Sequence, residues 1–488
     1  MPPFLMTNWY EESYIVINVK LIGGFMKTIA ILTVIVLALT GLLIPGSGFG
    51  ATTDSPFGMH PASISYGKQT PKSFELAVLM QVGWHRPPVY AFQFLIQKDY
   101  TKPEYDFSMH DNLYGQVPKG MQILANITAD VDGQRNHGYT QKNSYLPKDE
   151  KVYSDFVKAV IERYDGDGID DMPNLTNPIK YWQVDNEPPK RLKGYAKFLE
   201  ITYKAIKEAD PECKVLIGGA TGFPIDLDKN FNRDFVPMLK ELSGKYFDIF
   251  DFHWYGTLKE YAGCQKSCAN IRKALDENGF KGVPIWITEM GAYSGKPTMG
   301  RYEFAYQSES DQANDILRKL LHPLSYGVSK VFPAFGMIEG FIDPKDNDYF
   351  DNTGLIFDGI GKYDKGRGVK KLSFWTYKLI ASNLAGVDLS KTKVIKDDDG
   401  IKIIRFDVGG KPVYVCWFDW WTSKDKAKTV TIDVTNGKWN VTESIPNKES
   451  GKNVKVADYP KFFASKTFEV TDGKLKVTLG SKPVIIRQ

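Results

Sequence analysis

The sequence predicts an α/β chain: a (β/α)8 TIM barrel followed by a small C-terminal all-β sandwich. Three observations lead there. Between Ser55 and Leu384, eight short apolar or β-branched runs alternate with stretches of helical periodicity. Two of those runs, far apart in the chain, each deliver a glutamate to their C-terminal end and are stopped there by Pro or Gly. After about Gly386 the helical stretches cease, and alternating runs punctuated by turn residues take over. A chain of 488 residues suits a barrel of ~250 residues or more plus a smaller module.

Taken in order, residues 1–50 read as an N-terminal extension and signal peptide. Met26-Lys27 precedes a largely apolar run from Thr28 to Ile44, and Gly48 and Gly50 form a small-x-small exit. Translation is therefore expected to start at Met26, with export to the extracellular space. An uncleaved, membrane-tethering anchor is the alternative. The barrel is assigned to 51–385. Its strands are expected at Phe57–His60, Trp84–Pro87, Met121–Thr128, Tyr181–Glu187, Lys214–Gly219, Phe247–Tyr255, Pro284–Glu289 and Ser329–Phe335. Helical spacing marks Pro71–Val82, Lys148–Tyr164, Tyr195–Ala209, Asn270–Asn278, Asp311–Tyr326 and Leu372–Leu384. The sandwich is assigned to 386–488. Its strands are expected at Ile401–Val408, Pro412–Asp419, Thr429–Val434, Trp439–Ser444 and Pro483–Arg487, with turns at Asp399-Gly400, Gly409-Gly410 and Asn436-Gly437.

The fourth strand carries the chemistry. Tyr181-Trp182-Gln183-Val184-Asp185-Asn186-Glu187-Pro188 is strand-forming until the proline ends it, leaving Glu187 on the lip beside an amide. The seventh, Pro284-Ile285-Trp286-Ile287-Thr288-Glu289-Met290-Gly291, repeats the design. Either glutamate alone reads as an ordinary surface carboxylate. Paired on the C-terminal rim of a parallel barrel, they are what glycoside hydrolysis needs. In Asp251-Phe252-His253-Trp254-Tyr255, alternation puts Asp251, His253 and Tyr255 on one face and Phe252 and Trp254 on the other.

Asn-Glu-Pro on strand four, His-x-Tyr on strand six and a Glu-ending strand seven, in that order, resemble clan A glycoside hydrolases, the retaining (β/α)8 enzymes. With a C-terminal β-sandwich, the layout is most like family 39, with family 5 close. The resemblance covers nearly the whole chain beyond the N-terminal segment. It implies that Glu187 is the acid/base and Glu289 the nucleophile. It also implies that Arg86 pairs with the nucleophile, although Pro87 and Pro88 follow it directly. Asn186 is expected to donate to the sugar 2-hydroxyl, Tyr255 to hydrogen-bond Glu289, and His253 to orient its neighbours. Trp84, Trp254, Asn126, Phe335, Tyr293 and Glu339 are further candidates for sugar contact. The clan's usual tryptophan on strand eight is replaced by Phe332, Phe335 and Met337. The implied activity is hydrolysis of a β-linked glucan, xylan or mannan by double displacement. A glycan-binding protein without activity, or a transglycosylase using the same site, are the alternatives.

The remaining features are secondary. With 62 basic and 58 acidic residues the charge is nearly balanced, and no basic stripe points to nucleic acid. Carbohydrate is the expected partner, and catalysis by two carboxylates needs no cofactor. Asp165, Asp167, Asp170 and Asp171, set among glycines, look like the opening of a calcium loop, yet Thr176 stands where its closing glutamate belongs. Structural Ca2+ or a solvated turn both fit. A local disulfide between Cys264 and Cys268 is preferred over a metal site, because no second Cys or His pair completes four ligands. Cys213 and Cys416 read as buried. Trp420-Trp421 is expected to pack against the barrel rather than to face glycans.

Overall fold

Among the described residues, eight parallel strands follow one another in the N-terminal two-thirds of the chain: β1 (Gly58–Met59), β2 (Trp84–His85), β3 (Gln122–Thr128), β4 (Tyr181–Val184), β5 (Lys214–Ile217), β6 (Phe250–Trp254), β7 (Ile285–Met290) and β8 (Val328–Pro333), and a further two-residue strand, Ala91–Phe92, pairs parallel with the end of β3. The computed structural model describes residues 55–64, 73–130, 137–188, 193–340 and 347–488. The expected signal segment and start at Met26 lie outside them. Strands β1 to β5 pair in sequence order, as do β6 to β8. Parallel bridges Leu216↔Ile249 and Ala220↔Phe252 connect β5 to β6, and Phe57↔Val331 and His60↔Ala334 connect β8 back to β1. Register sets the site: Asn126 lies opposite Gln183, and His253 opposite Glu289 across an irregularity after Phe252.

Helices cover the outside of these strands. Glu150–Tyr164 shows why they form: Tyr153, Phe156, Val157, Val160, Ile161 and Tyr164 recur at helical spacing and are all buried. Asp149 caps it by accepting from Lys151 N and Val152 N at 2.9 and 3.0 Å. Ser308 opens the helix Glu309–Leu324 with a capping box to Asp311. Helices at Ser108–Gly115 and Leu227–Asn230 were not expected from the periodicity, being short and polar. Inside the strands, Trp84, Leu124, Leu216, Ile249, Trp286 and Phe332 form one buried layer.

The C-terminal region is β-rich. Its strands are β9 (Lys393–Asp398), β10 (Ile401–Val408), β11 (Lys411–Phe418), β12 (Lys428–Asp433), β13 (Gly437–Glu443), β14 (Ser465–Val470), β15 (Lys474–Leu479) and β16 (Val484–Arg487). Six make one antiparallel sheet in the order β9-β10-β11-β16-β13-β14, and β12 pairs with β15. Apolar residues of both sheets share one buried cluster around Trp439, Cys416, Ile432 and Val477.

The junction with the helical part is centred on Arg318. Its Nε donates to Asp419 Oδ1 at 3.2 Å, and the guanidinium lies 5.3–5.8 Å from the rings of Tyr261, Trp417, Trp420 and Trp421. Trp420 and Trp421 thus pack on the helical part. Cys264 and Cys268 are free, buried thiols on successive turns of the helix Gly263–Glu277, so the preferred disulfide is not present. That helix begins earlier than its apolar pattern suggested, and it takes in both cysteines.

Candidate active site

Glu187 and Glu289 come from the ends of β4 and β7. Asp185 and Glu187 both adopt positive φ, 65° and 51°, a left-handed turn costing on the order of 1–3 kcal/mol each. Local bonds hold that turn: Asp185 Oδ1 accepts from Asn186 N at 2.6 Å and its Oδ2 from Thr128 Oγ at 3.0 Å. Tyr195 clamps the strand behind it, its hydroxyl donating to Val184 O at 2.6 Å and accepting from Gly218 N. Glu289, by contrast, stays within β7, at a register irregularity where Ile287 pairs with Phe252 and Glu289 with the next residue, His253, and it is 1% exposed.

Arg86 ties the two strand ends together. Its Nη1 donates to Glu289 Oε1 at 2.7 Å, its Nη2 to Asn186 Oδ1 at 2.7 Å and its Nε to Gln183 Oε1 at 2.9 Å. The prolines after it do not displace it. Because Asn186 Oδ1 is occupied, its amide NH2 is the group turned to other partners. Tyr255 donates its hydroxyl to Glu289 Oε2. Burial and the neighbouring glutamates hold that phenol well above its ordinary pKa, so it stays a donor.

His253 stands between the glutamates. Its Nδ1 is 2.9 Å from Glu187 Oε1 and 3.3 Å from Glu289 Oε2. Burial disfavours the imidazolium, but the charge of Glu289 and the bonds to Asp251 and Glu187 outweigh it, raising the ring to about 10. A carboxylate oxygen of each glutamate and one His253 ring nitrogen all lie within 4.8 Å of one another. Such a trio has metal-ligand spacing, but the Arg86 cation on Glu289 and a protonated His253 oppose a divalent ion there.

The other sequence candidates divide. Asn126 joins the network, donating to Gln183 Oε1 and Asp185 O at 2.9 and 3.1 Å. Phe335 packs at 5.0 to 6.4 Å from His60, Tyr255 and Phe350, beside the tyrosine that donates to Glu289. Trp84 is not brought to the site: it enters the buried layer one step below Arg86, and its indole donates to Ser55 O. Trp254 is not there either, since alternation turns it into the outer core, where it is 1% exposed. Glu339 pairs with buried Lys371 beside a cavity of about 490 Å3, lined also by Ser294, Asp358, Tyr363 and Asp364. Burial raises Glu339 to about 8 despite that lysine.

Of the acidic loop, Asp165, Asp167 and Asp171 bring an oxygen each within 4.8 Å, while Asp170 stands outside the group. Their oxygens also accept backbone amides: Asp171 from Gly166 and Gly168, Asp165 from Asp167, Asp167 from Ile169.

Sequence reasoning missed Gln183, Thr288 and His60. Gln183 shares the parity of Glu187, a period-two signal that was available, whereas Thr288 directly precedes Glu289, so alternation would have turned it away, and only the irregularity in β7 brings both to the site. His60 sits 3.7 Å from Glu289 Oε1, its Nδ1 donating to Arg86 O at 2.9 Å. Burial and Arg86 keep it neutral.

Solved structures carry the same architecture. A family 39 glycoside hydrolase from the gut symbiont Bacteroides cellulosilyticus superimposes with a TM-score of 0.59 at 16% identity, over 89% of this chain and 81% of its own. The chain shares the fold of that glycoside hydrolase. A glucosidase from Croceicoccus marinus gives 0.59 at 14% identity over 89% and 96% of the two chains. A family 30 subfamily 8 xylanase from Clostridium acetobutylicum gives 0.50 at 11%, over 89% and 96%. By sequence, no protein-family model and no curated protein matches the chain. A match over 89% of this chain extends beyond its α/β part into the β-rich C-terminal region.

Proposed function

We propose that the chain is a retaining β-glycosidase in which Glu289 is the nucleophile and Glu187 the acid/base. The carrying observation is the approach of the two glutamates, an oxygen of each within 4.8 Å. Retaining enzymes hold their carboxyls ~5–5.5 Å apart, whereas inverting ones leave ~6.5–9.5 Å for a water. Glu289 attacks the anomeric carbon while Glu187 protonates the leaving oxygen. Water then cleaves the glycosyl ester, with Glu187 taking its proton. Asn186 is turned by Arg86 to donate to the sugar 2-hydroxyl, a bond that strengthens in the transition state.

The ring of parallel pairings is consistent with a closed (β/α)8 barrel over 51–385, and the two C-terminal sheets with a sandwich over 386–488. A glucan-, xylan- or mannan-type substrate suits the fold, since the similar structures include a glucosidase and a xylanase. Export follows from residues 26–51, and N-terminal sequencing of secreted protein tests it. Ca2+ on Asp165, Asp167 and Asp171 would cross-link the loop before β4, and melting with and without chelator tests that.

The deciding experiment is hydrolysis of aryl β-glycosides and of dyed β-glucan, xylan and mannan, with Glu289→Ala run with and without azide. The expected result is cleavage by wild type and rescue of the variant to a glycosyl azide of inverted configuration. Glycan binding with no cleavage anywhere in the panel would favour an inactive binding protein instead.

A further inference from the structure

Beneath the two glutamates lies a third buried carboxylate that double displacement does not call for. Asp251 is on β6, two residues before His253 and on the same face, with 0% exposure. Its Oδ2 accepts from Gln183 Nε2 at 2.6 Å and from Thr288 Oγ at 2.7 Å, and its Oδ1 from Thr288 N at 3.0 Å.

Counting protons fixes the state of His253. Thr288 has one hydroxyl proton, and it goes to Asp251. The Thr288 oxygen lies 3.3 Å from His253 Nε2, and Asp251 Oδ2 lies 3.4 Å from it. Both are acceptors toward the ring, so Nε2 carries a proton. On the opposite edge, Nδ1 and Glu187 Oε1 share the next proton at 2.9 Å. With that proton on Nδ1, the ring is a cation among carboxylates. With it on Glu187, the glutamate is the neutral acid that the leaving oxygen needs.

The backbone leaves space for this arrangement. A Cβ on Gly219, just after β5, would stand 2.4 Å from His253 Nε2 and 2.6 Å from Asp251 Oδ2. Any side chain there would push the ring and the carboxylate aside. Gln183 carries the network to the other glutamate, since its Oε1 accepts from Arg86 Nε at 2.9 Å and Arg86 holds Glu289.

We propose that Asp251 is a positioning residue for hydrolysis: by holding His253 at Nε2, it keeps one proton stored between His253 Nδ1 and Glu187, at the place where the leaving oxygen is protonated. This rests on the reading of Glu187 as the acid/base. The balance closes over a turnover. The Glu187 O–H bond breaks as the leaving O–H forms, the electron pair of the glycosidic C–O bond goes to the leaving oxygen, and water returns a proton to Glu187 in the second step. The charged and titratable groups facing His253 are His60 from β1, Arg86 from β2, Glu187 from β4, Asp251 and Tyr255 from β6, and Glu289 from β7. Removing the Asp251 charge leaves the ring holding its proton less tightly. The stored proton is then lost at lower pH.

The test is an NMR titration of 13C-labelled histidine rings in wild type, Asp251→Asn and Gly219→Ala, with His253→Asn to assign the signal. Alongside it, kcat/KM is followed against pH on an aryl glycoside that wild type cleaves. In wild type the His253 ring is expected to remain protonated at about pH 8. In Asp251→Asn it titrates lower by at least about one pH unit, and the alkaline limb of kcat/KM moves down with it. Gly219→Ala changes no titratable group, yet it shifts the ring the same way, which covers the case in which Asp251→Asn does not fold. An unmoved His253 titration in the folded variants overturns the proposal. So does a uniform loss of kcat at every pH with the limb in place. If wild type cleaves nothing, the assignment of Glu187 fails, while the ring titration still decides what Asp251 does to His253.

Discussion

Arg86 Nη1 and Glu289 Oε1 meet at 2.7 Å, with neither residue more than 1% exposed. The guanidinium serves three acceptors on two strands at once, which a lysine ammonium cannot match in that planar geometry. Arg86→Lys is therefore expected to keep the fold but lower kcat/KM by roughly 100-fold or more. Arg86→Ala leaves a buried carboxylate without its counter-charge and should cost about 3–5 kcal/mol of stability. Steady-state kinetics and thermal melting separate the two effects.

Tyr255→Phe removes one donor from Glu289 and little volume. The expected outcome is a fall in kcat/KM of roughly 10- to 1,000-fold with stability changed by about 1–2 kcal/mol. A variant with unchanged kinetics would show that the hydroxyl plays no part in the transition state.

Glu187→Gln should separate substrates by leaving group. Natural glycosides, whose leaving oxygen needs a proton, lose roughly 100- to 10,000-fold, while an activated dinitrophenyl glycoside is still attacked by Glu289. Azide should then give a product of retained configuration. Equal losses on both substrates would count against Glu187 as the acid.

His253 predicts a pH dependence of stability in the absence of substrate. Its folded value, raised to about 10, exceeds the ordinary imidazole value of ~6.5. The contribution is thus fully present below about pH 6.5 and is lost as pH rises through about 10. Melting curves of wild type and His253→Asn across that window should converge toward the alkaline end.

Asp419→Ala strands the buried Arg318 cation among Tyr261, Trp417, Trp420 and Trp421. A loss of about 3–5 kcal/mol is expected, read as a lower melting temperature. The specific activity of the folded protein at low temperature should be unaffected.

The strand ends were legible because Asn-Glu-Pro and Glu-Met-Gly write both the chemistry and the stop signal locally. Asn186 came with its place beside Glu187, while Arg86, His253 and Tyr255, at the ends of β2 and β6, were reached through the resemblance to clan A glycoside hydrolases. Trp84 did not, because it shares a face with Arg86 and only depth within the strands separates a core tryptophan from a site residue. Gln183, Thr288 and Gly219 matter through neighbours roughly seventy or a hundred positions away or on an adjoining strand. Nothing in a single run of sequence announces such meetings. The cysteine pair was misread for a simpler reason: a polar first turn hid the start of its helix.

The Arg318 junction has a bearing on how this protein can be cut and recombined. A guanidinium on a helix of the N-terminal part is neutralised by a carboxylate from the C-terminal part, and aromatic rings from both parts enclose it. Neither half then carries a finished surface at that place. Trimming the chain near residue 386 would leave a desolvated cation facing water on one fragment and orphaned indoles on the other. The C-terminal region is accordingly expected to fold together with the rest of the chain, and a shortened version is expected to aggregate rather than to work as a smaller enzyme.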